Sequence, residues 1–102
     1  MCGRFSLTAD GATIASHFQA SVFTESQPRY NIAPSQDIVV VRDDPAGRES
    51  TMMRWGLVPH WAKEINTKYS MINARTETVT DKPAYRDPFR RQRCLIPANG
   101  VL

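Results

Sequence analysis

The sequence predicts a small α+β domain, mixed in its elements and built from short pieces. Three observations carry that expectation. Seven prolines and five glycines are spread through 102 residues, which breaks the chain too often for a helical bundle. Two apolar stretches, DIVVVR at 37–42 and TMMRWGLV at 51–58, flank a turn of Asp43-Asp44-Pro45 and Gly47 and read as a β-hairpin. Residues 9–19 place Ile14 and Phe18 four apart, as one face of a helix requires.

Taken in order, residues 2–7 (CGRFSL) alternate loosely and are expected as a short strand bringing the N-terminus into the fold. Thr8 is the expected N-cap of the helix over 9–19, with His17 on its surface. Residues 27–36 (QPRYNIAPSQ) are expected as an ordered loop, because Pro28 and Pro34 restrict the backbone and favour presentation of Tyr30 or Asn31. The first hairpin strand is apolar enough to be buried. In the second, Arg54 and Trp55 fall on opposite faces, and Pro59 ends it. A polar loop (KEINTK) then leads to a short strand at 69–72.

Thr76-Glu77-Thr78 reads as the start of a short helix, and Asp87-Pro88 as an N-cap followed by proline at the first position of a basic helix. Cys94-Leu95-Ile96 is expected as a buried strand with Cys94 in the core. Pro97, Asn99 and Gly100 form a turn, and Val101-Leu102 looks like the beginning of another strand. The chain is therefore expected to be the N-terminal part of a single domain. Exposed edges would then call for a dimer or a complementary C-terminal fragment.

Composition narrows the function classes. A hydrophobic share of 41% supports a core, and a net charge of +3 permits an anionic partner without requiring one. Two cysteines with no signal peptide fit a reduced, cytoplasmic setting. No apolar run approaches the roughly 18–20 residues that span a bilayer, so no membrane partner is expected. Neither cysteine stands at metal-ligand spacing from His17 or His60, and there is no glycine-rich phosphate loop. No metal or cofactor is expected.

Three constellations carry chemistry. In Met1-Cys2-Gly3-Arg4, loss of Met1 would leave Cys2 with a free α-amine beside its thiol. An α-amine titrates at about 7.7–8.0, against about 10.4 for lysine, so an appreciable fraction is an uncharged nucleophile at neutral pH. An aldehyde condenses with it to an imine, and the sulfur can close a five-membered thiazolidine. From these four residues alone, an ordinary N-terminal strand that holds a cysteine is the simpler reading.

Asn73 and Arg75, one residue apart at the end of the 69–72 strand, are expected to point the same way. The amide could orient a hydroxyl or carbonyl and the guanidinium take a phosphate. A turn-forming Asn beside a surface Arg also accounts for them. Between Lys82 and Arg93 lie five of the thirteen basic residues (Lys82, Arg86, Arg90, Arg91, Arg93), with Trp55, Trp61 and Tyr85 nearby in sequence. Such a set fits a surface that holds phosphates and stacks on exposed bases, although a solvated helix face explains the charge equally well. His60 has no partner at triad spacing and reads as structural.

Six blocks together resemble one family: MCGRF, PRYNIAPSQ at 28–36, MRWGLVPHWAK at 53–63, INARTET at 72–78, KPAYR at 82–86 and RRQRCLIPANG at 90–100. They are similar to the SRAP family, the SOS response-associated peptidases, which sense or shield abasic sites in single-stranded DNA. The resemblance implies a fold around a curved, barrel-like antiparallel sheet, incomplete in this chain. It also implies that Cys2, once exposed, captures the abasic-site aldehyde as a thiazolidine DNA–protein crosslink. Asn73 matches the asparagine that lies against the abasic sugar, Arg75 matches a phosphate-gripping arginine, and Arg4 matches a further DNA contact. Trp55 and the segment after it match a loop that shapes the DNA surface, and Lys82 and Arg86, in the KPAYR block, are expected as further DNA contacts. The implied setting is cytoplasmic, on the nucleoid when bound to DNA.

Two departures stand out. Asn99 occupies a position where the family has Asp, and the family's catalytic Glu is due immediately after Leu102, with a His further on. General acid–base groups contribute typically about 10²–10⁴-fold each, so a chain without them is expected to react slowly. Alternative readings are a cysteine-type peptidase, which would need an internal histidine base, and a non-catalytic fragment that binds single-stranded DNA.

Overall fold

A computed structural model describes residues 3–62, 64 and 72–101 of the chain. Its elements are β1 (Phe5–Leu7), α1 (Gly11–Phe18), β2 (Arg29–Ile32), β3 (Asp37–Asp44), β4 (Gly47–Arg54), α2 (Pro83–Arg91) and β5 (Gly100–Val101). The strands form a three-stranded antiparallel sheet in the order β2-β1-β5 and a separate hairpin, β3-β4. The fold is α+β as expected; among the described residues no closed barrel forms.

The hairpin is the spine. Successive side chains of a strand point to opposite faces, yet Ile38, Val39, Val40 and Val41 are all buried, so β3 is covered on both faces. The strands run to a two-residue turn of Pro45 and Ala46, where the Ala46 N–H donates to Asp44 Oδ1 at 3.0 Å and Gly47 takes a φ of +133°. β4 therefore begins and ends four residues earlier than the expected 51–58. Cross-strand ion pairs hold this charged end: Arg42 with Glu49 at 2.6 Å and Arg48 with Asp43 at 3.0 Å.

Phe5, Leu7, Ile14 and Ile32 complete the core with Trp55, whose ring lies 5.3 Å from that of Phe5. The segment 29–32, expected as loop, is strand β2, pairing Ile32 with Phe5 and Arg29 with Leu7. Pro28 and Pro34 lie just outside this ladder and bracket it, which is where a strand tolerates them.

α1 is capped by Asp10, not Thr8: Asp10 Oδ1 accepts from the Thr13 N–H at 2.8 Å. That hydrogen bond holds the Asp10 carboxyl below the ordinary carboxylate range. The helix closes at Gln19, in the left-handed region with φ 56°, and α1 lies against β4.

Three further expectations are corrected. Residues 76–81 form hydrogen-bonded turns, with Thr78 and Val79 N–H donating to the Arg75 carbonyl, in place of a short helix. The basic helix starts at Pro83, one turn before Asp87-Pro88, because Pro83 supplies the favoured first-position proline and leaves Pro88 inside the helix. Leu95 makes a single bridge to Val41, and Cys94, Leu95 and Ile96 are exposed instead of buried. Partial burial still pushes the Cys94 thiol up, with nearby Arg42 opposing. Val101 does enter a strand, pairing with Phe5. The strand expected at 69–72 lies outside the described residues except for Ile72, which packs against the core.

Candidate nucleic-acid interface

The segment after Ile72 and the start of α2 face each other across a groove of about 460 Å³. Asn73, Arg75, Thr78, Lys82, Tyr85 and Trp61 line it. The turns from Arg75 to Lys82 fold the chain back, so that residues distant in sequence meet: the Lys82 and Asp81 N–H groups donate to the Thr78 carbonyl at 2.9 and 3.0 Å. Tyr85 Oη then donates to the Asn73 carbonyl at 3.0 Å, joining α2 to the other wall.

The chemistry of the lining is consistent. Arg75 and Lys82 bring two cations, and no carboxylate lines the groove among the described residues. Trp61 is 55% exposed, with the His60 imidazole edge-on to it at 5.0 Å between ring centroids. An exposed indole beside paired cations is the arrangement that stacks a base while phosphates are held.

Of the residues singled out from sequence, the structure brings Asn73, Arg75 and Lys82 to one place. Arg86, one turn along α2, is exposed and outside the groove lining. Arg4 stands at the entry to β1, where its Nη1 donates to Asn31 Oδ1 at 3.2 Å. Cys2 lies outside the described residues.

Trp55, expected to help shape the DNA surface, lies in the core. It is 9% exposed, and its backbone is tied down as well: the main-chain N–H donates to the Gln36 carbonyl and the main-chain carbonyl accepts from the Ser35 N–H, both at 2.9 Å. A ring so covered has no free face for a base. Trp61, by contrast, keeps an exposed ring.

Sequence reasoning missed Thr78 as a groove residue and Asn31 as the partner of Arg4. No periodicity marks either, because both depend on where the chain turns back. Among the described residues no group of three or more His, Cys, Asp or Glu could hold a metal ion, and no helix is long and apolar enough to cross a membrane.

Fold and groove together define a small α+β protein with a cationic, aromatic-walled cleft suited to a polyanion. The chain belongs to the SOS response associated peptidase (SRAP) family, whose family model matches residues 1–101. It is 46% identical over 103 residues to the abasic site processing protein YoaM of Bacillus subtilis, covering 98% of this chain and 45% of that protein. The abasic site processing protein YoqW of Bacillus subtilis is 43% identical over 103 residues, covering 98% and 46%. The abasic site processing protein HMCES of Xenopus tropicalis is 33% identical over 86 residues, covering 72% and 26%. The chain thus spans a little under half the length of its bacterial relatives. A crystal structure of a protein from Bordetella bronchiseptica shares the fold, with a TM-score of 0.79 at 23% identity over 98% of this chain and 49% of that one.

Proposed function

We propose that this chain acts in abasic-site processing, by capturing the aldehyde of a ring-opened abasic deoxyribose in single-stranded DNA. The observation that supports this best is the meeting of Asn73, Arg75 and Lys82 with exposed Trp61 in one groove, with no carboxylate in its lining among the described residues, in a chain whose relatives carry that name. Arg75 and Lys82 hold phosphates, Trp61 stacks on a neighbouring base, and the Asn73 amide orients the sugar oxygens. Arg4, near Cys2 in the chain, is a further phosphate contact.

Cys2, freed of Met1, is the nucleophile. Its α-nitrogen attacks the aldehyde carbon, water leaves and an imine forms. The thiol sulfur then adds to the imine carbon, its proton passes to the nitrogen, and a thiazolidine ring closes. One water is released, and no oxidant or reductant is needed. A peptidase acting on proteins would need a histidine base for Cys2, and in the sequence neither His17 nor His60 has an obvious pairing with it.

The test is a denaturing gel of the Met1-processed protein incubated with an oligonucleotide carrying one abasic site. A heat-stable shifted band that Cys2→Ser abolishes is expected. Salt-sensitive binding without any such band would leave only a DNA-binding role and refute capture.

A further inference from the structure

We propose that Tyr85 is a positioning residue for Asn73, acting through the Asn73 backbone carbonyl; the inference rests on the abasic-site reading above. Residues 72–75 carry no helix or strand, so no ladder of hydrogen bonds holds the backbone that presents Asn73. Among the described residues, three separate contacts hold it instead. Ile72 packs against the core. The Arg75 carbonyl accepts from Thr78 and Val79 N–H groups at 3.1 and 2.9 Å. Between these anchors, Tyr85 Oη donates to the Asn73 carbonyl at 3.0 Å.

The third contact is the one that bears on the Asn73 side chain. A carbonyl oxygen is fixed in its peptide plane, so holding it holds ψ of Asn73. The side-chain rotamers open to a residue depend on its φ and ψ. The direction in which the Asn73 amide enters the groove therefore follows from where Tyr85 places its hydroxyl. Tyr85 is itself placed firmly: α2 opens on Pro83, whose ring presets φ, and the Tyr85 N–H donates to the Lys82 carbonyl at 3.0 Å. The hydroxyl proton is directed at the Asn73 carbonyl, so the role is orientation and not proton transfer.

Tyr85→Phe keeps the ring in the groove wall and removes the hydrogen bond. With Met1-processed protein and saturating abasic-site oligonucleotide, the crosslinking rate is expected to fall on the order of fivefold. The Kd for an intact oligonucleotide of the same length and the thermal midpoint are expected to stay near wild type. In an Asn73→Ala background, Tyr85→Phe is expected to have no further effect on the rate. A Tyr85→Phe rate equal to wild type, or a loss that adds in full to that of Asn73→Ala, overturns the positioning role and leaves the capture reaction standing. A wild-type protein that forms no crosslink overturns both.

Discussion

Asn99 Oδ1 accepts two hydrogen bonds from a single residue, the Thr8 N–H at 2.7 Å and the Thr8 hydroxyl at 3.2 Å. The Asn99 N–H in turn donates to the Ser6 carbonyl at 2.8 Å, so this residue pins the stretch leading into β5 onto β1. Thr8 is thereby engaged away from α1, which is why Asp10 takes the cap. Among the described residues the Asn99 side chain serves only as an acceptor, and a carboxylate oxygen serves as well as an amide oxygen there. Asn99→Asp is expected to keep the urea midpoint close to wild type, whereas Asn99→Ala should lose about 1 kcal/mol. Equilibrium unfolding monitored by tryptophan fluorescence distinguishes the two outcomes.

The Asp10 cap predicts a pH signature. Its folded carboxyl titrates below the ordinary range because it accepts from the Thr13 N–H. The stabilisation is therefore fully present above the unfolded value of about 3.9 and is lost as pH falls through the lower folded value. Asp10→Ala should lower the unfolding midpoint at pH 7, and the gap to wild type should close on acidification. Urea titrations at a series of pH values between neutrality and strong acid measure it.

Gly11 is buried at the first position of α1, where a Cβ would run into the Thr24 carbonyl. Backbone cannot swing aside as a long side chain can. Gly11→Ala, ordinarily favourable in a helix, is expected to destabilise by about 1–3 kcal/mol. A raised thermal midpoint for this variant would contradict the packing described.

The two tryptophans should separate cleanly. Trp55→Ala removes a core ring packed on Phe5 and is expected to lose about 3–5 kcal/mol of stability. Trp61→Ala should leave stability near wild type and weaken single-stranded DNA binding by about 1–3 kcal/mol. Paired thermal melts and fluorescence anisotropy titrations report both quantities for each variant.

If Arg75 and Lys82 hold phosphates, each removes condensed counterions from the strand on binding. Replacing either by Ala should weaken binding to all sequences alike and reduce the slope of log K against log salt by about 0.7. An unchanged slope would remove that residue from the set of phosphate contacts.

Much of the α+β character was legible in local pattern. The hairpin followed from a run of β-branched residues beside turn formers, and helix α1 from the spacing of Ile14 and Phe18. Boundaries were less legible where two local signals competed. Thr8 and Asp10 both suit a cap, and Pro83 and Pro88 both suit a helix start; the choice between them depends on Asn99 and on where the turns after Arg75 deliver the chain. Cys94, Leu95 and Ile96 look buried by composition, but their place beside Val41 at the edge of the hairpin leaves them exposed.

By itself the sequence determined the family, the α+β class, and which residue types carry reactivity and charge, because those follow from side-chain chemistry and short-range pattern. Only the tertiary structure decided which of them meet. Asn73, Arg75 and Lys82 share a groove because the turns between them reverse the chain, and Trp55 lies under Phe5 while Trp61 stays open. Proximity across a fold is set by how buried surfaces and backbone hydrogen bonds are jointly satisfied, and no local stretch of residues contains that information.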